Sequence, residues 1–276
     1  MSHDKEKIEK LIVTGSDIAG AAVGGAVGFL AVGPVGAAAA GALGVAISRG
    51  IAKVIGDVAN RQLSHKEEVR VGAAAAVAAD KIRQLLESGS HPRQDGFFES
   101  VGNEPPTGEA LFEGVLLKSK NEHEEKKVKL LGNFFANLAF SPGVGVAEAN
   151  HLLRLAESLT YRQICALALF TLKAKGSNVK LRDCSYREQS GNISFETLSL
   201  LQEIQDLYTR GLVGCKAKSG SGYEALLGWA DVCPERMGPT PLGERLIRLL
   251  GVADIPLEDI DKVAFCIAPS SIKQTA

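Results

Sequence analysis

Histidine and cysteine are the side chains of this chain best suited to metal or nucleophilic chemistry, and their spacing supports neither. His123-Glu124 opens an H-E-x-x-H motif, but Lys127 stands where the second histidine is needed. His3, His65, His91 and His151 are scattered, so each reads as a surface or capping residue. The five cysteines, Cys165, Cys184, Cys215, Cys233 and Cys266, contain no C-x-x-C. Such an odd set reads as reduced thiols of a cytosolic protein, not as a disulfide frame or zinc site. Cys165 lies in an apolar run, whereas a nucleophilic thiol needs an electropositive, partly exposed setting. Residues 13–25 hold several glycines, yet Gly15 and Gly20 are not spaced as G-x-G-x-x-G, and a Lys/Glu-rich segment precedes them where a buried strand is required. There is no G-K-[ST], and no carboxylate pair stands out. The chain reads as non-enzymatic, with no catalytic residue, cofactor or metal expected.

The dominant feature is an element, not a reactive group. No charged residue occurs between Asp17 and Arg49, and residues 18–48 are almost entirely Gly, Ala, Val and Leu. Gly20, Gly24 and Gly28 form one row of small residues. Gly36, Ala40, Gly44 and Ser48 form a second, with Gly41 alongside and Gly33-Pro34 between the rows. On a helix, i and i+4 share a face, so each row is a groove that another helix can approach closely. Membrane helices pack through such rows. A soluble surface helix needs a polar face, which this ribbon lacks.

As one straight helix the 31 residues would run about 46 Å, against roughly 30 Å of hydrocarbon core. Three forms fit: a tilted or Pro34-kinked span, a re-entrant hairpin turning at Gly33-Pro34, or a helical hairpin buried in protein. Each of the eight glycines costs about 1 kcal/mol against alanine in a helix interior. The ribbon is therefore expected to be marginal alone and stable once its grooves are filled. Gly20, Gly24, Gly28, Gly33, Pro34, Gly36, Gly41 and Gly44 are the candidate packing residues, with membrane lipid or further copies of the chain as partners.

The formal net charge of −1 offers no general attraction to nucleic acid or anionic lipid. The mixed charges of Met1 to Lys10 argue against a secretory signal. A cytoplasmic location, or contact with a membrane from its cytosolic side, is expected. Arg49, Lys53 and Arg61 would favour keeping that flank cytoplasmic if the ribbon inserts.

The fold expected is mainly α, in four parts. Residues 1–88 form a Gly/Ala-rich helical module, with Ser2 capping an amphipathic stretch at Ile8, Leu11 and Ile12. A stripe follows at Ile51, Val54, Ile55 and Val58. A helix then begins at the Ser64-x-x-Glu67 capping box and ends at Gly89. Its alanine run, residues 71–79, is suited to lie against the ribbon. Residues 89–108, with three prolines, form a linker or ordered loop that Phe97-Phe98 could anchor. Residues 109–159 are a helical middle: one long helix or a broken pair to about Phe140, then a helix marked by Leu152, Leu155 and Leu159. The charged run Lys118–Lys129 is expected to be a solvated face. Residues 160–276 form an α+β module. Thr160-x-x-Gln163 caps an all-apolar helix, and a short strand is expected near 179–181. Ser194 caps a helix through Leu198, Leu201, Ile204 and Tyr208. Strands are expected at 212–218 and 223–230, a helix from Thr240-Pro241 to Leu250, and a strand at 263–267.

Two resemblances rest on these residues. "LYTRGLV" before the strand pair and "TPLGERLIRLL" after it resemble the bacterial winged-helix proteins over roughly residues 160–251. DNA-binding members present Arg, Lys, Asn or Gln on the helix before the wing. Here that helix carries Glu196, Glu203 and Asp206, with Arg210 only at its end, so nucleic acid is not expected and a protein-interaction module is. The order Gly/Ala-rich start, "EKKVKLLGNFFANLAFSP", then "AEANHLLRLAESLTYRQICALALF", resembles the Abi-alpha group of abortive-infection proteins over about residues 108–250. That resemblance implies a bacterial defence protein with no functional residues to carry over. A membrane-disturbing effector would fit the ribbon. A soluble helical interaction module and a DNA-binding regulator are the alternatives.

Overall fold

A computed structural model describes residues 50–58, 61–188, 192–218 and 222–269. Among them the chain is mainly helical, with a small three-stranded antiparallel sheet in the C-terminal part. They fall into two compact units. The first runs to Ser158 and takes in Leu249–Gly251; the second comprises Leu159–Arg248 and the residues from Val252 onward.

In the first unit, residues 50–58 are helical, and Ile51, Val54, Ile55 and Val58 of the expected stripe are all buried. Helix α1 (His65–Glu87) starts where the Ser64 N–H and hydroxyl both donate to the Glu67 carboxylate, each at 2.7 Å. The backbone bond, then the hydroxyl, hold Glu67 below the usual carboxylate range. Beyond the helix end, Gly89 adopts φ +83°, the left-handed conformation that stops a helix cheaply only at glycine.

The alanine run of α1 is buried at Ala74, Ala75, Ala78 and Ala79. Among the described residues it packs against α3 (Glu125–Leu138); the expected packing against the ribbon falls outside the described residues. The Ala74 carbonyl oxygen lies 2.6 Å from where a Cβ on Gly132 would stand, and Val77 Cβ lies 3.0 Å from it. Alanine on one helix and glycine on the other let the two backbones meet at the short end of interhelical distances.

The expected break in the long helix falls between α2 (Thr107–Asn121) and α3. Here one expectation is corrected: the charged run is not all solvated. Glu122 and Lys127 are buried, with side chains 5% and 4% exposed, and their ion pair is 2.5 Å long. Lys127 Nζ also donates to the Glu157 carbonyl (2.9 Å), and Glu122 accepts from the Glu124 N–H (2.9 Å). The reason is local: the chain turns inward at the break, and each charge comes with a partner that satisfies it. Periodicity alone could not separate these two from their exposed neighbours.

Residues 89–108 form an ordered loop in this unit. Arg93 is buried. Its N–H donates to Ala139 (2.9 Å), and its guanidinium forks onto Asp95 (2.8 and 2.6 Å) and lies 4.2 Å from the Phe97 ring centroid. Phe97 is buried edge-on to Phe98, and its carbonyl accepts from Gly108 N–H (2.8 Å). Helix α4 (Val146–Ser158) follows, burying Leu152, Leu153 and Leu155. The carbonyls of Leu249 and Leu250, grouped with this unit, accept from Asn137 and Asn133 (2.8 and 3.3 Å).

In the second unit, α5 (Tyr161–Ala174) opens on the Thr160–Gln163 capping box. Gln163 N–H donates to Thr160 Oγ1 (3.1 Å), and Thr160 N–H donates to Gln163 Oε1 (2.9 Å). Residues 163–171 are buried all round, Cys165 among them. Helix α6 (Phe195–Thr209) is capped by Ser194, whose Oγ accepts from Thr197 N–H (3.2 Å). Strand β1 (Val213–Lys216) is central in the sheet, with β2 (Tyr223–Glu224) on one side and β3 (Met237–Pro239) on the other. Helices α7 (Pro241–Leu250) and α8 (Leu257–Cys266) complete the unit.

Three strand expectations are corrected here. Residues 179–181 form no strand: the backbone at Arg182 bonds Ile267 and Glu235 (3.0 and 2.9 Å) instead of joining a ladder. The returning strand shrinks to Tyr223–Glu224. The other edge of β1 is taken by β3, an unexpected strand whose Met-Gly-Pro carries no alternating pattern. Residues 263–267 belong largely to α8, because Ile260, Val263 and Ala264 turn inward together at helical spacing.

Candidate functional site

The candidate packing residues Gly20, Gly24, Gly28, Gly33, Pro34, Gly36, Gly41 and Gly44 lie outside the described residues. No helix among the described residues is long and apolar enough to cross a membrane. The described residues nevertheless bring together charged and apolar groups that periodicity did not single out.

The first group joins α5 to α6. Arg162 forks onto Glu203 (2.8 and 2.9 Å) and reaches Ser199 Oγ (2.7 Å). Gln163 Nε2 donates to Asp206 Oδ2 (2.8 Å), which also accepts from Arg210 Nε (2.7 Å). Two of the three carboxylates that argued against DNA, Glu203 and Asp206, are thus staples between helices. Nearby, Tyr161 donates its hydroxyl to Asp259 Oδ2 (2.9 Å). Burial first, then the neighbouring Cys165 and Asp259, push the Tyr161 phenol well above its usual range, so it acts as a donor. Burial likewise pushes Tyr186, under the Arg182 guanidinium, up to about 12.

The second group sits at the sheet. Arg236 pairs with Glu224 and donates to the Lys216 carbonyl (3.2 Å). Cys215 and Cys233 are fully buried beside it, and burial pushes the Cys215 thiol up. A raised, buried thiol is a poor nucleophile. Asp231, paired with Arg187, also accepts from the backbone N–H of Leu227 and Gly228 (2.9 and 3.1 Å). These groups are structural clamps.

The third group is apolar and in solvent. Phe195, Leu227, Leu257 and Tyr223 are 84, 82, 68 and 67% exposed, and Phe265 is 46% exposed. Tyr223 lies across Gly214, where a Cβ would meet its ring at 2.8 Å. A signal for this group was present in the sequence. In α8, Leu257 and Phe265 stand on the flank opposite Ile260, Val263 and Ala264, but the expected strand at 263–267 hid the helical spacing.

The ion pairs predict acid lability. Arg93 holds Asp95 below the usual carboxylate range, and Arg187 does the same for Asp231. The Lys218 N–H and Arg236 hold Glu224 low. At Glu122 burial pushes upward, but Lys127 and the Glu124 N–H outweigh it. A carboxyl depressed in the folded state contributes stability above its unfolded value, about 4. That contribution is lost as pH falls through the folded value. The urea midpoint, followed by far-UV circular dichroism, is expected to stay level from about pH 7 to 5 and to fall steeply toward pH 3. A level midpoint down to pH 3 would remove the assigned role of these pairs.

No family model, curated protein or solved structure matches the chain.

Proposed function

We propose that the chain is a non-enzymatic bacterial defence effector of the abortive-infection type. In this reading it associates with the inner membrane, and with further copies of itself, through the charge-free ribbon at residues 18–48. The observation that carries the reading is the double row of small residues, Gly20/Gly24/Gly28 and Gly36/Ala40/Gly44, without a polar face. Support comes from the first unit, where the same device operates: glycine on α3 admits the alanine-lined backbone of α1. The α5–α6–sheet–α7 unit then serves as a winged-helix-like interaction module.

A second reading, a soluble helical interaction protein, is favoured by one observation. The alanine run of α1 is met by Gly132 of α3, so a small-residue face in this protein can be buried within protein and not in lipid. A DNA-binding regulator gains little support, since the outward residues of α6 include Phe195, Glu196 and Gln202 and offer no cation there.

Flotation of the full chain with liposomes tests the first reading. The protein is expected to rise with lipid and to release a trapped dye. Gly24→Leu, which fills the first groove, is expected to abolish release while leaving the circular dichroism of the two units unchanged. Protein that stays at the bottom of the gradient, with or without the substitution, would favour the soluble reading.

A further inference from the structure

We propose that the exposed flank of α8, together with the start of α6, is a docking surface for a basic amphipathic helix of a partner protein. The proposal does not depend on the role given to residues 18–48.

Leu257, Asp261 and Phe265 recur every fourth residue and are all exposed, so they rise along one flank of α8. The opposite flank is buried through Ile260, Val263 and Ala264. At the end of α8, Thr197 Oγ1 donates to the Cys266 carbonyl (3.2 Å), which brings the first turn of α6 to the last turn of α8. Phe195 and Phe265 therefore flank one contact, and Phe195 is the most exposed large apolar side chain among the described residues. From Leu257 to Phe265 the flank is about 12 Å long, roughly two turns of a docked helix.

Charge identifies the occupant. Glu258 and Asp261 are exposed beside these apolar groups, and no ion pair or hydrogen bond engages their side chains among the described residues; Glu196, exposed at the start of α6, adds negative charge there within electrostatic reach of Arg162. Five other carboxylates of the unit are taken: Glu203 by Arg162, Asp206 by Arg210, Glu224 by Arg236, Asp231 by Arg187 and Glu235 by Lys173. Lys262, the only basic residue of α8, is held by Asp259 at 3.2 Å. An apolar ridge edged by unpaired carboxylates complements a helix with an apolar stripe between lysines or arginines. A second copy of the same flank would set like charges opposite one another. An anionic lipid surface would be repelled.

The test uses the full chain and a fluorescent synthetic helix of leucine and lysine, about five turns long, read by anisotropy. Binding is expected, weakened about tenfold or more by Phe265→Ser and by Phe195→Ser. Both of these side chains are exposed, so thermal melting should match the unsubstituted protein. Glu258→Lys with Asp261→Lys should lose the Leu/Lys helix and gain a Leu/Glu helix of the same length. Equal binding by all variants, or none by the parent protein, overturns the proposal. Two further results overturn it by assigning the flank elsewhere. One is a smaller sedimentation coefficient for Phe265→Ser, which points to self-association. The other is loss of flotation with anionic vesicles for that variant, which points to lipid.

Discussion

Gly243→Ala is expected to destabilise the second unit by about 3 kcal/mol, the overpacking cost of a Cβ with no room. Gly243 lies in the first turn of α7, directly over the chain entering β1. A Cβ there would fall on the Leu212 carbonyl oxygen, far inside van der Waals contact, with Leu167 Cδ1 3.2 Å away. The carbonyl cannot simply swing aside, because it accepts the Thr240 N–H at 3.0 Å. Thr240 is itself fixed, its hydroxyl donating to the Gly211 carbonyl (2.5 Å) and accepting from the Gly243 N–H (3.1 Å). Moving one group disturbs the whole cap, at about 1 kcal/mol per lost bond. Alanine returns about 1 kcal/mol through helix propensity, too little to offset this. Urea unfolding followed by Trp229, the only tryptophan of the chain and a member of this unit, measures the effect. A variant as stable as the parent protein would mean that α7 and β1 do not meet this closely.

Lys127→Met is expected to cost the first unit about 3–5 kcal/mol, the range for leaving one charge of a buried pair uncompensated. The ammonium is the 2.5 Å partner of a carboxylate that is itself almost fully enclosed. Methionine fills a similar volume, so packing is largely kept and the loss reports the charge. Adding Glu122→Gln should recover part of it, because glutamine can still accept the Glu124 N–H without a charge to bury. Lowering the pH toward 4 should also narrow the gap between Lys127→Met and the parent protein, since the orphaned carboxyl can then be neutralised. Urea titration by far-UV circular dichroism resolves all three comparisons. Equal stability of the single variant and the parent would place Lys127 in solvent.

The helices were legible where local chemistry and packing agree. Ser64/Glu67, Thr160/Gln163 and Ser194 mark helix starts that the structure keeps, and Gly89, Gly211 and Gly251 mark stops with positive φ. The strands were less legible. β2 and β3 pair at two and three positions, and pairing partners far apart in the chain leave no periodic trace at such lengths. Val263–Ile267 read as a strand because five apolar residues in a row fit either period. The buried Glu122–Lys127 pair was hidden within a run of charges, where burial of two members depends on the turn between helices and not on residue type. Of the candidate surface on α8, the acidic residues were visible but not their lack of partners, which only the folded arrangement of the other carboxylates reveals.

The brevity of the sheet has a consequence for assembly. Its outer strands offer two and three residues, and β3 ends in a proline that has no N–H to donate. A foreign strand would find too few main-chain donors and acceptors to extend the ladder, which limits templated aggregation along these edges. Any partner of this part of the molecule would have to be met by side chains on helical surfaces, whose composition can diverge without rebuilding the backbone.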